Sequence, residues 1–592
     1  MDLKIGDQVA SLDERDAVDS LLGPADNSWQ GGLRDAADHH IARGGAALRE
    51  QRHQLLPTLH AINDRVGWIS HGAVNYVALR LGIAPAEVYG VATFYGMFST
   101  TERVGRQVHV CIDLACLGQP VPPGAHPSPC LGLCDRAPVV LVVDPGVQPA
   151  QYVLAPATAV QVRRAIAGDA IEADQAVPPM VPQVGTDAPL ALLARIGKVD
   201  PNSLDSYRSR GGYSALRKAI DIGPAQVIRE VTESGLTGRG GAGFPTGRKW
   251  AAVAGQPARP HYLVCNADES EPGTFKDRVV MEGDPFALIE AMTIAAFATG
   301  CELGLIYLRV EYPLARQRLL NAIEQAYDKG LLGYDIMGSG LNVDLQLFLG
   351  AGAYICGEET AIFNSIEGFR GEPRNKPPFP VEVGLFSKPT LVNNVETLVN
   401  VLPIVLAGGP AYAATGTTAS PGTKLFCLSG SVVRPGVYEV EFGATLRDLL
   451  ELAGGVPFGR SLRAVLLGGA AGGFATPDDL DVPLTSEGTR AAGLTLGSGV
   501  IMVLDDSVDL RAFVQRIAAF FRDESCGQCV PCRVGTVRQE EALIRLGSKP
   551  TDSDRALLED IGKVMRDASI CGLGQTAYNA IESARQKLGV FG

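Results

Sequence analysis

Three cysteines fall within a single heptapeptide, Cys526-Gly-Gln-Cys529-Val-Pro-Cys532, and this C-x2-C-x2-C run narrows what the chain can build more than any other stretch of its sequence. The spacing lets three thiolates wrap one face of an iron–sulfur cube. A bacterial ferredoxin would go on with C-x3-C-P, but position 536 is Thr, so a fourth ligand has to come from a distant segment. Cys571, in DASICGLGQ, is the free candidate in the same region. Zinc sites more often pair two C-x2-C knuckles; zinc, or thiols with a purely structural role, is the alternative reading.

Cys111 and Cys116 (C-x4-C) with Cys130 and Cys134 (C-x3-C) form a second set. Alternation predicts a strand at Gln107–Ile112 before the first pair and another at Pro138–Val143 after the second. Four thiolates on loops at the ends of adjacent strands can hold a [2Fe–2S] cluster, each iron taking two sulfurs, and zinc is again the alternative. Thirteen residues separate Cys116 from Cys130, and Pro120, Pro122, Pro123, Pro127 and Pro129 rule out a helix among them. Cys265, Cys301, Cys356 and Cys427 stand alone and are expected to be small buried hydrophobes. The opening MDLKIGDQVASLDERDAV carries acids where a signal peptide needs a basic and then an apolar run. A cytoplasmic location is therefore expected, and there twelve cysteines serve metal or redox chemistry rather than disulfides.

Between the two sets lie two neighbouring segments, Gly238–Trp250 (GRGGAGFPTGRKW) and Tyr262–Arg278 (YLVCNADESEPGTFKDR). Gly238, Gly240 and Gly243 match G-x-G-x-x-G, but the residues before them, Ala225–Glu233, are helical in character, and Pro245 follows where a Rossmann helix should be running. What remains is a loop free of bulk whose backbone can approach a planar, phosphorylated ligand, with Arg239, Arg248 and Lys249 as cationic partners. A flavin or nucleotide fits that description.

With GAGAYICGEETA at Gly350–Ala361, KPPFP at Lys376–Pro380 and LVNNVET at Leu391–Thr397, these segments make five separated motifs in order. Over roughly residues 200–592 the chain resembles the NADH-oxidising flavoprotein subunit of respiratory complex I and its soluble relatives. Residues 50–170 resemble the thioredoxin-like [2Fe–2S] subunit that accompanies it, shortened between Cys116 and Cys130. The resemblance assigns Gly238, Arg239, Gly240, Lys249, Asn266, Asp268, Asn393, Asn394 and Thr397 to FMN. It assigns Phe244, Glu269, Glu271, Tyr354, Glu358, Glu359, Lys376 and Phe379 to the nicotinamide nucleotide, and adds Gly241, Ala242, Gly357 and Val392 to the cofactor contacts. Cys526, Cys529, Cys532 and Cys571 would ligate a [4Fe–4S] cluster; Cys111, Cys116, Cys130 and Cys134 a [2Fe–2S] cluster. The residue types suit these roles, since Phe244 and Phe379 can stack on adenine and Glu271 and Glu359 can accept from ribose hydroxyls or the carboxamide. Several acids in one pocket would repel a 2′-phosphate, favouring NAD over NADP. Ala252 departs from relatives that carry an aromatic there. Taken singly, any of these carboxylates could be a solvated loop charge and either Phe a core residue.

A chain of 592 residues should hold several domains. The expected architecture is multidomain α/β: an N-terminal extension (1–45), a helical bundle (46–105), a truncated thioredoxin-like [2Fe–2S] domain (106–183), a Rossmann-like FMN- and NAD(H)-binding domain (190–420), a β-grasp, SLBB-like domain (421–507) and a helical [4Fe–4S] domain (508–592). Val177–Gln183 (VPPMVPQ) reads as a linker. The net charge of −13 argues against nucleic acid or an anionic membrane as partner, and Glu302 interrupts the most apolar stretch, Met292–Leu308, so no membrane span is expected.

Electron counting supplies the expected function: NADH gives up a hydride, clusters take single electrons, and a flavin does both. No side chain need act as acid, base or nucleophile. The fusion of both modules resembles the diaphorase subunit of NAD-dependent formate dehydrogenases, whose partner chain bears a molybdopterin centre. It also resembles the flavoprotein subunit of NAD-reducing hydrogenases, whose partner bears a nickel–iron centre. Gly211–Ala219 (GGYSALRKA) favours the first. The alternatives are the NADH-input subunit of complex I and an electron-relay subunit without a working flavin. A hetero-oligomer is expected in each case.

Overall fold

The computed structural model describes residues 5–25, 49–171, 180–548 and 550–591. The N-terminal extension and the Val177–Gln183 linker therefore lie partly outside the described residues. Within them, the extension contains a helix, Leu12–Leu22, with a Ser11/Glu14 capping box. Asn75 fastens the preceding segment by donating to the carbonyls of Gly6 and Gln8 at 3.2 and 2.9 Å. The helices Leu55–Val66, His71–Leu81 and Pro85–Ala92 follow, burying Leu55, Leu56, Leu59 and Ile62 against Val74, Val77, Ala78 and Leu81. These are the two apolar faces that a helical period predicts.

The first cysteine set sits on a four-stranded sheet in the order His126–Ser128, Gln107–Cys111, Val140–Asp144, Ala150–Leu154. Only the first pair runs parallel. As the prolines require, the chain between Cys116 and Cys130 forms no helix; it holds the short edge strand His126–Ser128 instead. Helix Ala159–Ile166 covers one face.

The central sheet runs Gly333–Ile336, Leu341–Leu349, Cys301–Leu308, His261–Ala267, Thr390–Asn394, parallel except for the first strand. Its parallel strands need helical crossovers. One of these, Pro285–Thr299, is buried on nearly every side. The apolar stretch Met292–Leu308 is thus divided between that helix and the next strand, with Gly300 at φ +67° turning the chain between them. Among the described residues no helix is long and apolar enough to cross a membrane. The carboxyl ends of the parallel strands, Ala267, Leu308, Leu349 and Asn394, lie on one edge, where open sheets of this kind bind ligands.

The third sheet, Gly436–Glu441, Thr423–Gly430, Val500–Asp505, Leu462–Leu467, Gly473–Ala475, is mixed and packs helix Leu446–Leu452 on its own core. Its central strand, Val500–Asp505 (VIMVLD), is buried throughout, so it shows no alternation. The chain ends in the helices Leu510–Glu524, Val530–Ser548, Asp552–Ala568, Gly572–Thr576 and Asn579–Leu588. The first buries one apolar face, Leu510, Phe513, Val514, Ile517, Phe520 and Phe521. In Asp552–Ala568 the buried face is narrow: Leu558 and Met565 are buried, whereas Leu557 and Val564 are exposed.

Candidate functional site

The glycine segment joins two helices, Pro224–Glu233 and Thr246–Ala254, with Pro245 as the residue before the second. A strand-to-helix dinucleotide turn is thereby ruled out. Gly238 N–H donates to the Phe244 carbonyl and Thr246 N–H to that of Leu236, each at 2.9 Å, which closes Gly238–Phe244 into a tight loop. Gly241 and Gly243 adopt φ +120° and +67°, open to glycine and strained for other residues. A β-carbon on Gly240 would stand 3.2 Å from Asn394 Cβ, so loop and strand end touch. Arg239 is buried; its main-chain N–H donates to Thr397 Oγ1 (2.8 Å), while its guanidinium turns away to Tyr412 and the Pro421 carbonyl.

The loop faces a cavity of about 440 Å³, within the range of small-molecule sites. Of the expected cofactor residues, Gly240, Gly241, Ala242, Asn266, Asp268, Glu269, Glu271, Tyr354, Gly357, Glu358 and Asn394 line it. Asn266 Nδ2 donates to the Gly357 carbonyl (2.8 Å), tying the strand end to the 3₁₀ turn Tyr354–Gly357. Gly238, Arg239, Phe244, Lys249, Glu359, Lys376, Phe379, Val392, Asn393 and Thr397 stand outside the lining. Asn393 accepts from Trp250 Nε1 (2.8 Å), and Lys249 donates to the Val392 carbonyl (3.2 Å). Phe244 and Phe379 are about half exposed (48% and 53%), and Arg248 and Lys249 lie 5.8 and 5.9 Å from the Phe244 ring centre.

Charge around the cavity is arranged in two ways. Burial pushes Asp268 and Glu271 up to about 7, although Ala471 N–H (2.9 Å) and Tyr354 hydrogen-bond the Glu271 carboxylate and partly oppose this. Burial likewise raises Glu269, with the nearby Asp277 charge adding to it. Its two oxygens accept from Asp277 and Arg278 N–H at 2.9 Å, capping helix Lys276–Gly283. Glu359 is the opposite case: burial would raise it, but Lys249 (3.1 Å) and Lys376 (2.8 Å) together hold it below the usual carboxylate range. Lys376 also pairs with Glu358 (2.8 Å), itself the N-cap of Glu359–Ile366.

Some of the cavity wall is not evident from the motifs. Lys276, ion-paired with Asp277 (2.8 Å) and Glu396 (3.1 Å), lies in the acidic segment, where TFKDR offered a cation to find. Ala471, Gly497 and Ser498 come from the β-grasp domain, and Gly572, Thr576 and Asn579 from the terminal helices. These residues are local turn and cap residues with no signature of their own.

The terminal cysteines gather beside this wall. Cys529 and Cys532 flank the start of helix Val530–Ser548, Cys571 is the N-cap of Gly572–Thr576, and Cys526, Cys529 and Cys571 all lie in the electrostatic neighbourhood of Cys532. In the first set the thiols follow one another in space as Cys116, Cys111, Cys130 and Cys134, with Cys130 Sγ 3.5 Å from Cys134 Sγ. In each place four thiols come near one another, all buried in the first set and Cys526 and Cys532 buried in the second, and such a donor set suits an iron–sulfur cluster. Cys265, Cys301, Cys356 and Cys427 are buried, as small hydrophobes would be.

Fold, cavity and thiols suit a flavin- and nicotinamide-binding iron–sulfur protein. Residues 231–403 match the Nuo51 FMN-binding domain, 512–588 the NADH-ubiquinone oxidoreductase-F iron–sulfur binding region, 39–120 the thioredoxin-like [2Fe–2S] ferredoxin, and 425–475 the SLBB domain. The chain is 45% identical over 389 residues to NADP-reducing hydrogenase subunit HndC of Solidesulfovibrio fructosivorans, covering 65% of this chain and 79% of that one. It is 46% identical over 391 residues to a subunit of the NADH-quinone oxidoreductase of Escherichia coli, covering 65% and 87%. A chain of NAD+-reducing [NiFe]-hydrogenase superposes with a TM-score of 0.77 at 32% identity, over 91% of this chain and 92% of that. The chain belongs to the family of NADH-binding FMN and iron–sulfur flavoproteins that serve as subunits of complex I and of hydrogenases. It carries an FMN- and NAD-binding domain, a [4Fe–4S] region and a [2Fe–2S] thioredoxin-like domain.

Proposed function

We propose that the chain is the diaphorase subunit of a soluble NAD-linked enzyme. It exchanges electrons between NAD(H) and a partner chain that oxidises hydrogen or formate at a nickel–iron or molybdopterin centre. The observation that carries this reading is the shared wall: the helix that begins after Cys571 lines the same cavity as the glycine loop and the acidic loop. Bound FMN supplies there the conversion of a hydride into single electrons. The glycine loop would keep bulk away from the ring system, and Asn266 and Asn394, whose amides already donate to the Gly357 carbonyl and to Asp277, would bring fixed polar groups to its edge. Phe244 and Phe379 would stack on the adenine, and Glu271 and Glu359 would accept hydrogen bonds from the nucleotide. The carboxylates around the cavity favour NAD over NADP. Cys526, Cys529, Cys532 and Cys571 hold the [4Fe–4S] cluster, and Cys111, Cys116, Cys130 and Cys134 the [2Fe–2S] cluster.

The likeness over nine-tenths of both chains to a NAD+-reducing [NiFe]-hydrogenase supports a soluble assembly with both modules fused. Gly211–Ala219, which favours formate on sequence, has a packing explanation. A β-carbon on Gly212 would stand 2.1 Å from the Tyr207 ring, and Tyr213 N–H donates to buried Glu290 at 2.7 Å. The segment therefore leaves hydrogen and formate level. Flavin release on heating and NADH-dependent dye reduction test the diaphorase role, and their absence would leave the relay role. Assay of the co-purifying chain with hydrogen and with formate identifies the partner's substrate.

A further inference from the structure

Glu271 reaches out of the flavin domain into the β-grasp domain. Its Oε1 accepts from Ala471 N–H at 2.9 Å, and a β-carbon on Gly469, which sits at φ +82°, would lie 2.5 Å from that same oxygen. Ala471 and Gly469 belong to Gly468-Gly-Ala-Ala-Gly-Gly473, which crosses between two strands of the β-grasp sheet. Its far side is fastened to the cluster domain: Asn579 Nδ2 donates to the Ala471 carbonyl at 3.1 Å, and Phe474 N–H donates to Ser583 Oγ at 2.8 Å. One residue thus ties the acidic loop, through its N–H, to the helix eight residues beyond Cys571, through its C=O.

We propose that this strap is a positioning element of the nucleotide site, with Ala471 aiming the Glu271 carboxylate and Asn579 holding Ala471 in place. The proposal rests on the diaphorase reading, in which Glu271 contacts the nicotinamide nucleotide. Glycine is required at position 469 because any side chain there meets the carboxylate in a backbone conformation that already disfavours it. The β-grasp domain then acts as part of the nucleotide site.

The test uses the purified full-length holoprotein and compares Gly469→Ala and Asn579→Ala with the wild type. Expected are an unchanged FMN content, a KM for NADH raised about tenfold in Gly469→Ala and less in Asn579→Ala, little change in kcat with a dye, and a shifted flavin midpoint potential. Asn579→Gln, which can still donate, should recover part of the Asn579→Ala loss. If Gly469→Ala does not fold, Asn579→Ala with its rescue decides alone. FMN-replete variants with wild-type KM and flavin potential would overturn the strap while leaving the diaphorase reading intact. A wild type without FMN or NADH-linked dye reduction would overturn the reading itself.

Discussion

Glu269 and Cys130 share one donor: Arg309 gives Nη1 to the Glu269 carbonyl at 2.6 Å and Nη2 to the Cys130 carbonyl. The arginine is almost wholly buried and pairs with Glu311 at 2.7 Å. Arg278 adds a second clamp, donating to the Gly132 carbonyl (3.0 Å) and to Asp135 (2.9 Å). The first cysteine loop is therefore held by the same charges that shape the acidic loop.

Replacing Arg309 with Met should leave Glu311 buried without its counter-charge and free two carbonyls. A destabilisation of about 3–5 kcal/mol is expected, read by denaturant unfolding. The [2Fe–2S] signal should weaken more than the FMN content.

Stability of the flavin-free protein should fall as pH rises. Asp268 and Glu271 ionise near their ordinary values when unfolded but only near 7 when folded. Folding therefore favours their protonated forms: the stability they contribute is present below about pH 4 and is lost as pH climbs through about 7. The effect is tempered because both line a cavity open to solvent. Thermal unfolding at pH 6 and pH 8 checks the sign, and Glu271→Gln should flatten part of the slope.

Cys571→Ala should remove the [4Fe–4S] signal while FMN remains bound and NADH still reduces a dye that takes electrons from the flavin. Retention of the full signal would mean that another residue supplies the fourth ligand.

Glu290→Ala should cost about 3 kcal/mol. Its carboxylate accepts from Tyr207 OH (2.5 Å), Tyr213 N–H (2.7 Å) and Leu216 N–H (2.9 Å) inside the core. KM for NADH and kcat, measured below the unfolding range, should stay unchanged, as expected for a segment whose role is packing.

The motifs were readable in the sequence wherever chemistry depends on short spacing, as in Cys526–Cys532, or on a run of glycines, as in Gly238–Gly243. Two things were not readable. Strand Val500–Asp505 is apolar on both faces, so period two is lost. The part of the cavity formed by Ala471, Ser498 and Asn579 depends on how three domains dock, and no local pattern encodes that. Arg239 illustrates a further limit: its charge suggests a phosphate partner, but its guanidinium is spent on Tyr412 and Pro421.

Because the cavity wall is drawn from the central, β-grasp and terminal helical domains, the cavity is not closed until the segments around Gly497 and Gly572 have folded back onto the Gly238–Phe244 loop. Cofactor insertion is on this view a late step of assembly, and a chain that stops before Gly572 should emerge with its Gly238–Phe244 loop formed and nothing to grip.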